Sequence, residues 1–178
     1  MHPIAGTVAN SQVERLCVEA QEYLECIFTV ICNLVTKSEN PDEILEMAEL
    51  ISVKVAQRPN DKPALRLKIL FNLYNLLTIP YDRFSVYMQA LNLAANGKVV
   101  EHIVPSLKKI DEFLKEWNLN LKKQRDLFLA ISNVAKESKS SVKDSFKFLI
   151  KYLATFSGED ATTMSEAKER LLKPLLIS

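Results

Sequence analysis

The residues of this sequence that could carry acid–base or metal chemistry are few and widely spaced. His102 stands beside Glu101, and neighbours of these types could serve as a general base or a metal-binding pair. Adjacent positions on a helix point in different directions, so a surface or boundary histidine explains the pair better. The cysteines lack both a CxxC unit and a histidine at ligand spacing, so we predict no metal site. They are Cys17, Cys26 and Cys32.

Recognisable catalytic motifs are also missing. The sequence contains no GxGxxG, GxSxG or HExxH segment and no phosphate-binding lysine loop. Carboxylates do cluster in the helices, but they fall on exposed faces where they stay ionised, as at Glu43, Glu46, Glu49, Asp111 and Glu112. We therefore predict that the chain is not an enzyme and takes neither a cofactor nor a small-molecule substrate.

A row of lysines could instead meet a polyanion. Lys143, Lys147 and Lys151 recur every fourth residue and so share one helix face, which we call the lysine stripe. Such a stripe can contact phosphate groups. No aromatic residue lies within it to stack on bases, however, and Glu137 and Asp144 dilute its charge. A solvated face is the favoured interpretation, with protein docking and contact with RNA or the ribosome as the alternatives.

Amphipathic helices that could position these residues fill most of the chain. Apolar residues recur at steps of three and four, and no segment alternates with period two over the length of a strand. Asn40 and Asn120 are predicted N-caps, Asn96-Gly97 closes a helix, and Pro105 interrupts one. We predict helices over about residues 11–36, 41–57, 63–77, 80–96, 99–117, 121–136, 141–156 and 161–172.

The apolar patterns also predict which side chains face the core. The third helix is apolar around nearly its whole circumference, which predicts a buried central element. The first helix should turn Ile27 and Leu34 inward, together with its cysteines. The seventh helix should bury Val142, Phe146, Leu149, Ile150, Leu153 and Phe156.

Composition agrees with a single helical domain. The 178 residues include only three glycines, whereas sheets and phosphate-cradling loops usually need more. We assign residues 1–10 to a flexible leader and residues 11–178 to one helical repeat domain. The odd number of cysteines, the absence of a signal peptide and the lack of an apolar span of about 20 residues predict a cytoplasmic, reduced protein with no membrane contact.

Charge is balanced overall but unevenly distributed. The formal net charge is +1, yet residues 1–50 hold nine acidic groups against Arg15 and Lys37. The remainder is correspondingly basic. This asymmetry suggests docking surfaces of opposite sign, although solvated helix faces would give the same counts.

The spacing of the helices favours a repeat architecture. Helix starts lie about 20 residues apart, so pairs recur at about 40 residues, the period of HEAT and TPR arrays. The TPR consensus is absent, and an irregular bundle would give the same pattern. We predict an all-α fold, a superhelical array of antiparallel helical hairpins with about eight helices.

Three long stretches carry a resemblance to a known family. They are ALRLKILFNLYNLL (Ala64–Leu77), VPSLKKIDEFLKEWNL (Val104–Leu119) and DSFKFLIKYLATFSGEDA (Asp144–Ala161). Together they resemble the helical-repeat region of subunit M of eukaryotic translation initiation factor three, and most closely its plant members. The resemblance covers about Leu24 to Lys168.

That resemblance implies a PCI-type protein, with helical hairpins in a right-handed superhelix followed by a winged helix. It implies a non-catalytic scaffold whose partners are other subunits of the factor. The complex recruits mRNA and initiator tRNA to the small ribosomal subunit, which this chain would contact indirectly. A subunit of the signalosome or the proteasome lid is the alternative, because those complexes share the architecture.

The chain departs from the family at both ends. The resemblance dissolves near Glu169, so we predict a shortened form that stops before the winged helix. Near the N-terminus, residues 12–35 join stretches that family members separate by additional helix. The apolar residues of the last ten positions could cover the open end of the array or promote dimerisation.

Overall fold

The computed structural model describes residues 22–138 and 142–156, together with Ser165 and Glu169. The predicted leader therefore lies outside the described residues, as does the last predicted helix apart from Ser165 and Glu169, which are helical. The helices are α1 (22–35), α2 (Pro41–Ala56), α3 (Pro63–Leu76), α4 (Pro80–Asn96), α5 (Val104–Leu107), α6 (Ile110–Trp117), α7 (Leu121–Lys136) and α8 (Val142–Ala154).

Two antiparallel hairpins and the contacts of α4 account for most of the packing between the described helices. The hairpin partners α3 and α4 pack together, as do α7 and α8, while α4 also packs against α2 and α7. Apart from a 3-10 turn, every regular element of the described residues is an α-helix, and no strand occurs among them. The predicted all-α fold of packed helical hairpins is confirmed.

Local sequence signals set most of the helix boundaries. The side chain of Asn40 accepts a hydrogen bond from the backbone N–H of Asp42 at 3.0 Å, and Asn120 accepts one from Lys123 at 2.9 Å. Each bond satisfies an N–H group that the first turn of a helix leaves without a partner. Both predicted N-caps are confirmed. Prolines at the first helical position begin α2, α3 and α4.

The fifth predicted helix is interrupted near Pro105, as predicted, and consists of three pieces. A 3-10 turn over Val100–His102 comes first, and α5 and α6 follow. Proline has no N–H to donate, so a continuous helical ladder cannot pass through it. The Ser106 hydroxyl donates to the carbonyl of Ile103 at 2.7 Å and lies 2.8 Å from the Tyr87 hydroxyl. The contact with Tyr87 holds this interrupted segment against α4.

The core is centred on α3 and α4. Their buried side chains join with aromatic residues from α6, where Trp117 lies between Tyr87 and Phe84 at ring-centroid distances of 5.3 and 5.7 Å. The prediction that the third helix is the buried element is confirmed. Its buried side chains are Leu67, Ile69, Leu70, Leu73 and Tyr74.

The last hairpin is joined by polar contacts as well as apolar packing. The Ser145 hydroxyl donates to the carbonyl of Ser132 at 2.9 Å, inside the contact between α7 and α8. Arg125 donates to the backbone carbonyl of Thr155 at 2.8 Å and lies 3.8 Å from the centre of the Phe156 ring. These contacts fix which face of α8 turns toward α7.

Gly97 ends α4 for a reason that the sequence did not reveal. Its φ is −85°, and the left-handed conformation falls instead on Lys98, with a φ of 55°. A Cβ atom at Gly97 would lie 2.7 Å from the Cβ of Pro63 and 2.8 Å from the carbonyl oxygen of Pro59. Glycine is therefore required by the close approach of the loop before α3.

Gly97→Ala should lower the free energy of unfolding by roughly 1–3 kcal/mol, because the added methyl group meets backbone that cannot move aside. Chemical denaturation measures the change. The matched control is Lys98→Gly, which should leave stability unchanged or raise it, because glycine adopts positive φ freely. Equal stabilities for the two variants would contradict the close approach.

Candidate docking surfaces

Glu101 and His102 face different neighbours. The Ser138 hydroxyl donates to the Glu101 carboxylate at 2.5 Å. His102 instead lines a groove of about 580 Å3 beside Glu22 and Lys68, between α1 and α3. Among the described residues, no cluster of three or more histidine, cysteine or acidic side chains could hold a metal ion. The two neighbours thus do not converge on one site.

The described cysteines differ from each other in exposure. Cys32 is fully buried, and burial raises the pKa of its thiol above the ordinary value. Cys26 is exposed on a different side of α1, so the prediction that it is buried was wrong. Cys17 lies outside the described residues. A cysteine every sixth or ninth position does not keep to one helix face, which explains the difference.

The lysine stripe lies on α8 and is partly engaged by the protein itself. Lys151 donates a hydrogen bond to the Asp111 carboxylate, and the Nζ atom of Lys147 lies 3.7 Å from the same carboxylate. The hydrogen bond from Lys151 is the main reason that the pKa of Asp111 is lowered, with the charges of both lysines adding to it. Lys143 is exposed.

Asp111 therefore reduces the positive potential that the stripe offers to a partner. Two of its three ammonium groups lie beside a carboxylate on α6, and all of these charges remain accessible to water and salt. The stripe is one face of α8, as predicted from its spacing. Its roles in protein docking or RNA contact stay predictions.

A buried carboxylate on α4 was not singled out from the sequence. Asp82 is 1% exposed, and its Oδ2 atom has no hydrogen-bond partner. Burial is the main cause that raises the pKa of Asp82, and the charge of nearby Glu49 raises it further. Acidic residues are common in the first turn of a helix, so no local pattern marks this carboxyl as buried.

Asp82→Asn should stabilise the protein at pH 7 by roughly 1 kcal/mol, since the neutral amide removes a buried charge. A carboxyl whose pKa is raised on folding destabilises the folded state above that pKa and not below its unfolded pKa. The advantage of the variant should therefore shrink as pH falls from 7 to 4. Denaturation at both pH values measures it, with exposed Asp42→Asn as control. An advantage independent of pH would contradict this assignment.

The outer side of α8 is apolar and exposed. Its side chains are between 37% and 67% exposed, and we call them the α8 face: Val142, Phe146, Ile150 and Leu153. The sequence predicted that all four would be buried, which was wrong. Phe148 and Tyr152 are buried against α7 instead, and Phe156 is buried beyond the end of α8.

A similar apolar surface covers the outer side of α1. Its side chains are between 54% and 71% exposed, and we call them the α1 face: Tyr23, Ile27, Val30 and Leu34. The prediction that Ile27 and Leu34 point inward was wrong, and Tyr23 and Val30 were not singled out. Cys32 and Val35 make the buried side of α1.

Aligned apolar side chains of this kind mark sites where a protein meets another surface. Among the described residues, no helix has the length and apolar character needed to span a membrane. The two faces lie on the first and the last long helices that the structure describes. They are the strongest candidates for protein contact.

Comparison with known proteins identifies relatives across eukaryotes that share one name. Eukaryotic translation initiation factor 3 subunit M of Dictyostelium discoideum is 31% identical over 156 residues, which is 87% of this chain and 38% of that protein. The Phaeosphaeria nodorum protein is 25% identical over 97% of this chain and 38% of its own length. The human protein is 24% identical over 81% of this chain and 38% of its own length.

Other comparisons add no further relationship. No protein-family model matches the sequence, and no solved structure matches the fold. The plant-type assignment stays a prediction. The resemblance recognised from the sequence is confirmed, and the chain is a relative of eukaryotic translation initiation factor 3 subunit M that spans about two fifths of the length of those proteins.

Proposed function

We propose that this chain is a non-catalytic scaffold subunit of the translation initiation factor 3 complex. In that role it supports assembly of the complex in the cytoplasm and, through it, recruitment of mRNA and initiator tRNA to the small ribosomal subunit. The chain would contact other subunits directly and the ribosomal subunit only through them. It would do so as a PCI-type helical repeat.

The observation that carries this proposal is the similarity to proteins named as subunit M, which extends over most of the chain. The arrangement of the described residues supports it. Exposed apolar faces on α1 and α8 suit protein contact. The titratable groups that sequence reasoning considered for chemistry, Glu101 and His102, do not converge.

Affinity capture from a eukaryotic extract tests the proposal. The tagged chain should retain other subunits of translation initiation factor 3, identified by mass spectrometry, with a full-length subunit M as the positive control. Gly97→Ala, which should weaken folding without changing the surface, serves as a control for dependence on the fold. Repeated capture by the control protein and none by this chain would refute the proposal. Retention of signalosome or proteasome-lid subunits would favour that alternative.

Direct RNA contact through the lysine stripe is the second candidate, favoured by the alignment of Lys143, Lys147 and Lys151 on one face. Asp111 offers a sharp test, because Asp111→Asn releases two of these lysines without touching the stripe. If the stripe binds phosphate, this variant should bind a single-stranded RNA more tightly, whereas Lys143→Glu should weaken binding and reduce the salt slope by about one. Unchanged RNA binding in both variants would mean that the lysine stripe is only a solvated face.

A further inference from the structure

The α1 face and the α8 face resemble each other in form. Each consists of four large apolar side chains at steps of three and four residues along one side of a helix. No other described residue covers either face, although side chains on the adjoining arc of each helix are buried in the core. We propose that the α1 face of one copy of this chain packs against the α8 face of a second copy, giving head-to-tail association.

The width of each apolar surface supports a further packing partner. Buried Phe148 and exposed Ile150 bound an apolar arc of α8 that spans roughly 200°, about twice the stripe of an ordinary surface helix. Buried Cys32 and exposed Val30 bound a similar arc on α1. Helices with arcs this wide belong inside a stack, between two neighbours. In helical arrays, terminal units with polar outer faces are what prevents such stacking.

Charge selects which two faces meet. The first hairpin region, residues 22–56, holds seven acidic groups against Lys37 and Lys54. The last hairpin region, residues 121–156, holds eight lysines and arginines against three acidic groups. Two copies joined through identical faces would bring like charges together. Head-to-tail contact pairs the acidic region with the basic one, which favours encounter and fixes orientation.

The geometry of such a contact determines its products. A head-to-tail interface is heterologous, so it leaves one α1 face and one α8 face open and extends into longer assemblies unless the rotation closes a ring. One helix face on each side is smaller than the ~800 Å2 per partner of a standard stable interface. We therefore expect a concentration-dependent equilibrium of the isolated chain. This inference uses the same two faces that support the proposed function, but purified protein alone tests it, so its failure would leave the proposed function standing.

Sedimentation velocity of the purified full chain, from low to high micromolar concentration, provides the test. The wild-type protein should form dimers and larger species as concentration rises. Ile27→Asp, which blocks the α1 face, and Phe146→Asp, which blocks the α8 face, should each weaken association at least tenfold. An equimolar mixture of the two variants should form a dimer and stop there, because only one productive pair of faces remains.

Controls separate association from misfolding. Leu121→Asp places the same charge on an exposed apolar side chain of α7 outside both faces and should associate like the wild-type protein. Thermal unfolding of each variant verifies that the fold persists. A wild-type chain that stays monomeric throughout would overturn the proposal. So would a single variant that still dimerises fully by itself, or a mixture of the two that stays monomeric.

Discussion

Replacing Trp117 with alanine should lower the free energy of unfolding by about 4 kcal/mol, the largest effect that we expect from one substitution. Trp117 is 3% exposed at the end of α6. The centre of its ring lies 5.2 Å from that of Phe113, and Tyr87 and Phe84 are its next aromatic neighbours at 5.3 and 5.7 Å. Truncation would open a large cavity where α3, α4 and α6 meet, and backbone relaxation closes such cavities only in part.

The conservative replacement Trp117→Phe separates ring packing from the indole N–H. That N–H is buried and makes no well-formed hydrogen bond, with the Tyr74 hydroxyl as its polar neighbour, so phenylalanine loses volume but also removes a poorly satisfied polar group. We expect this variant to lose less than half as much stability as the alanine variant. Thermal unfolding should show a fall of about 8–16 °C for Trp117→Ala. A fall in the melting temperature of only a few degrees would contradict the conclusion that the aromatic side chains around Trp117 form the centre of the core.

Leu91→Ala should cost about 3 kcal/mol, the second largest expected effect. Leu91 is fully buried on α4, the helix that packs against α2, α3, α6 and α7. Its loss should therefore loosen several interhelical contacts together. Denaturant unfolding at fixed temperature measures the change.

The matched control is Leu50→Ala on α2, which removes the same atoms from a side chain that is 60% exposed. We expect its effect to stay within about 0.5 kcal/mol, as for most surface substitutions. Similar losses for Leu50→Ala and Leu91→Ala would mean that α4 is not the centre of the packed core. A much larger loss of stability for Leu91→Ala than for Leu50→Ala would show that the contacts of α4 contribute strongly to the stability of the chain.

Helix boundaries were readily predicted because their causes are local. The Asn40 and Asn120 caps, the prolines that begin α2, α3 and α4, and the interruption at Pro105 each depend on neighbours within a few residues. Such signals act through neighbouring residues, so they have the same effect in an isolated segment as in the folded chain. The buried state of α3 was also predictable, since apolar residues surround it.

Residue exposure was predicted less well where it depends on distant parts of the chain. An apolar stripe shows which side of a helix prefers burial but not whether another element covers it, and Phe146 and Leu34 stay exposed for that reason. The role of Gly97 depends on the loop before α3, more than 30 residues earlier. The burial of Asp82 likewise follows from packing that no local pattern records.

The contact of Lys147 and Lys151 with Asp111 is a further feature that local sequence patterns could not predict. Spacing placed the two lysines on one face, but the carboxylate that meets them lies on a different helix, 40 residues from Lys151. Likewise, long matched stretches, not any short motif, carried the resemblance to subunit M. The resemblance to subunit M and the helices could therefore be recognised from the sequence, whereas contacts between helices required the structure.

We propose above that this chain is a scaffold within translation initiation factor 3. The most direct measurement is quantitative mass spectrometry of the factor purified through a tag on a different subunit, from cells that express this chain. We predict that the chain is present in a fixed ratio to the other subunits and that the ratio persists through a salt wash and size fractionation. Its absence from the purified factor, while it stays abundant and folded in the same extract, would contradict the claim.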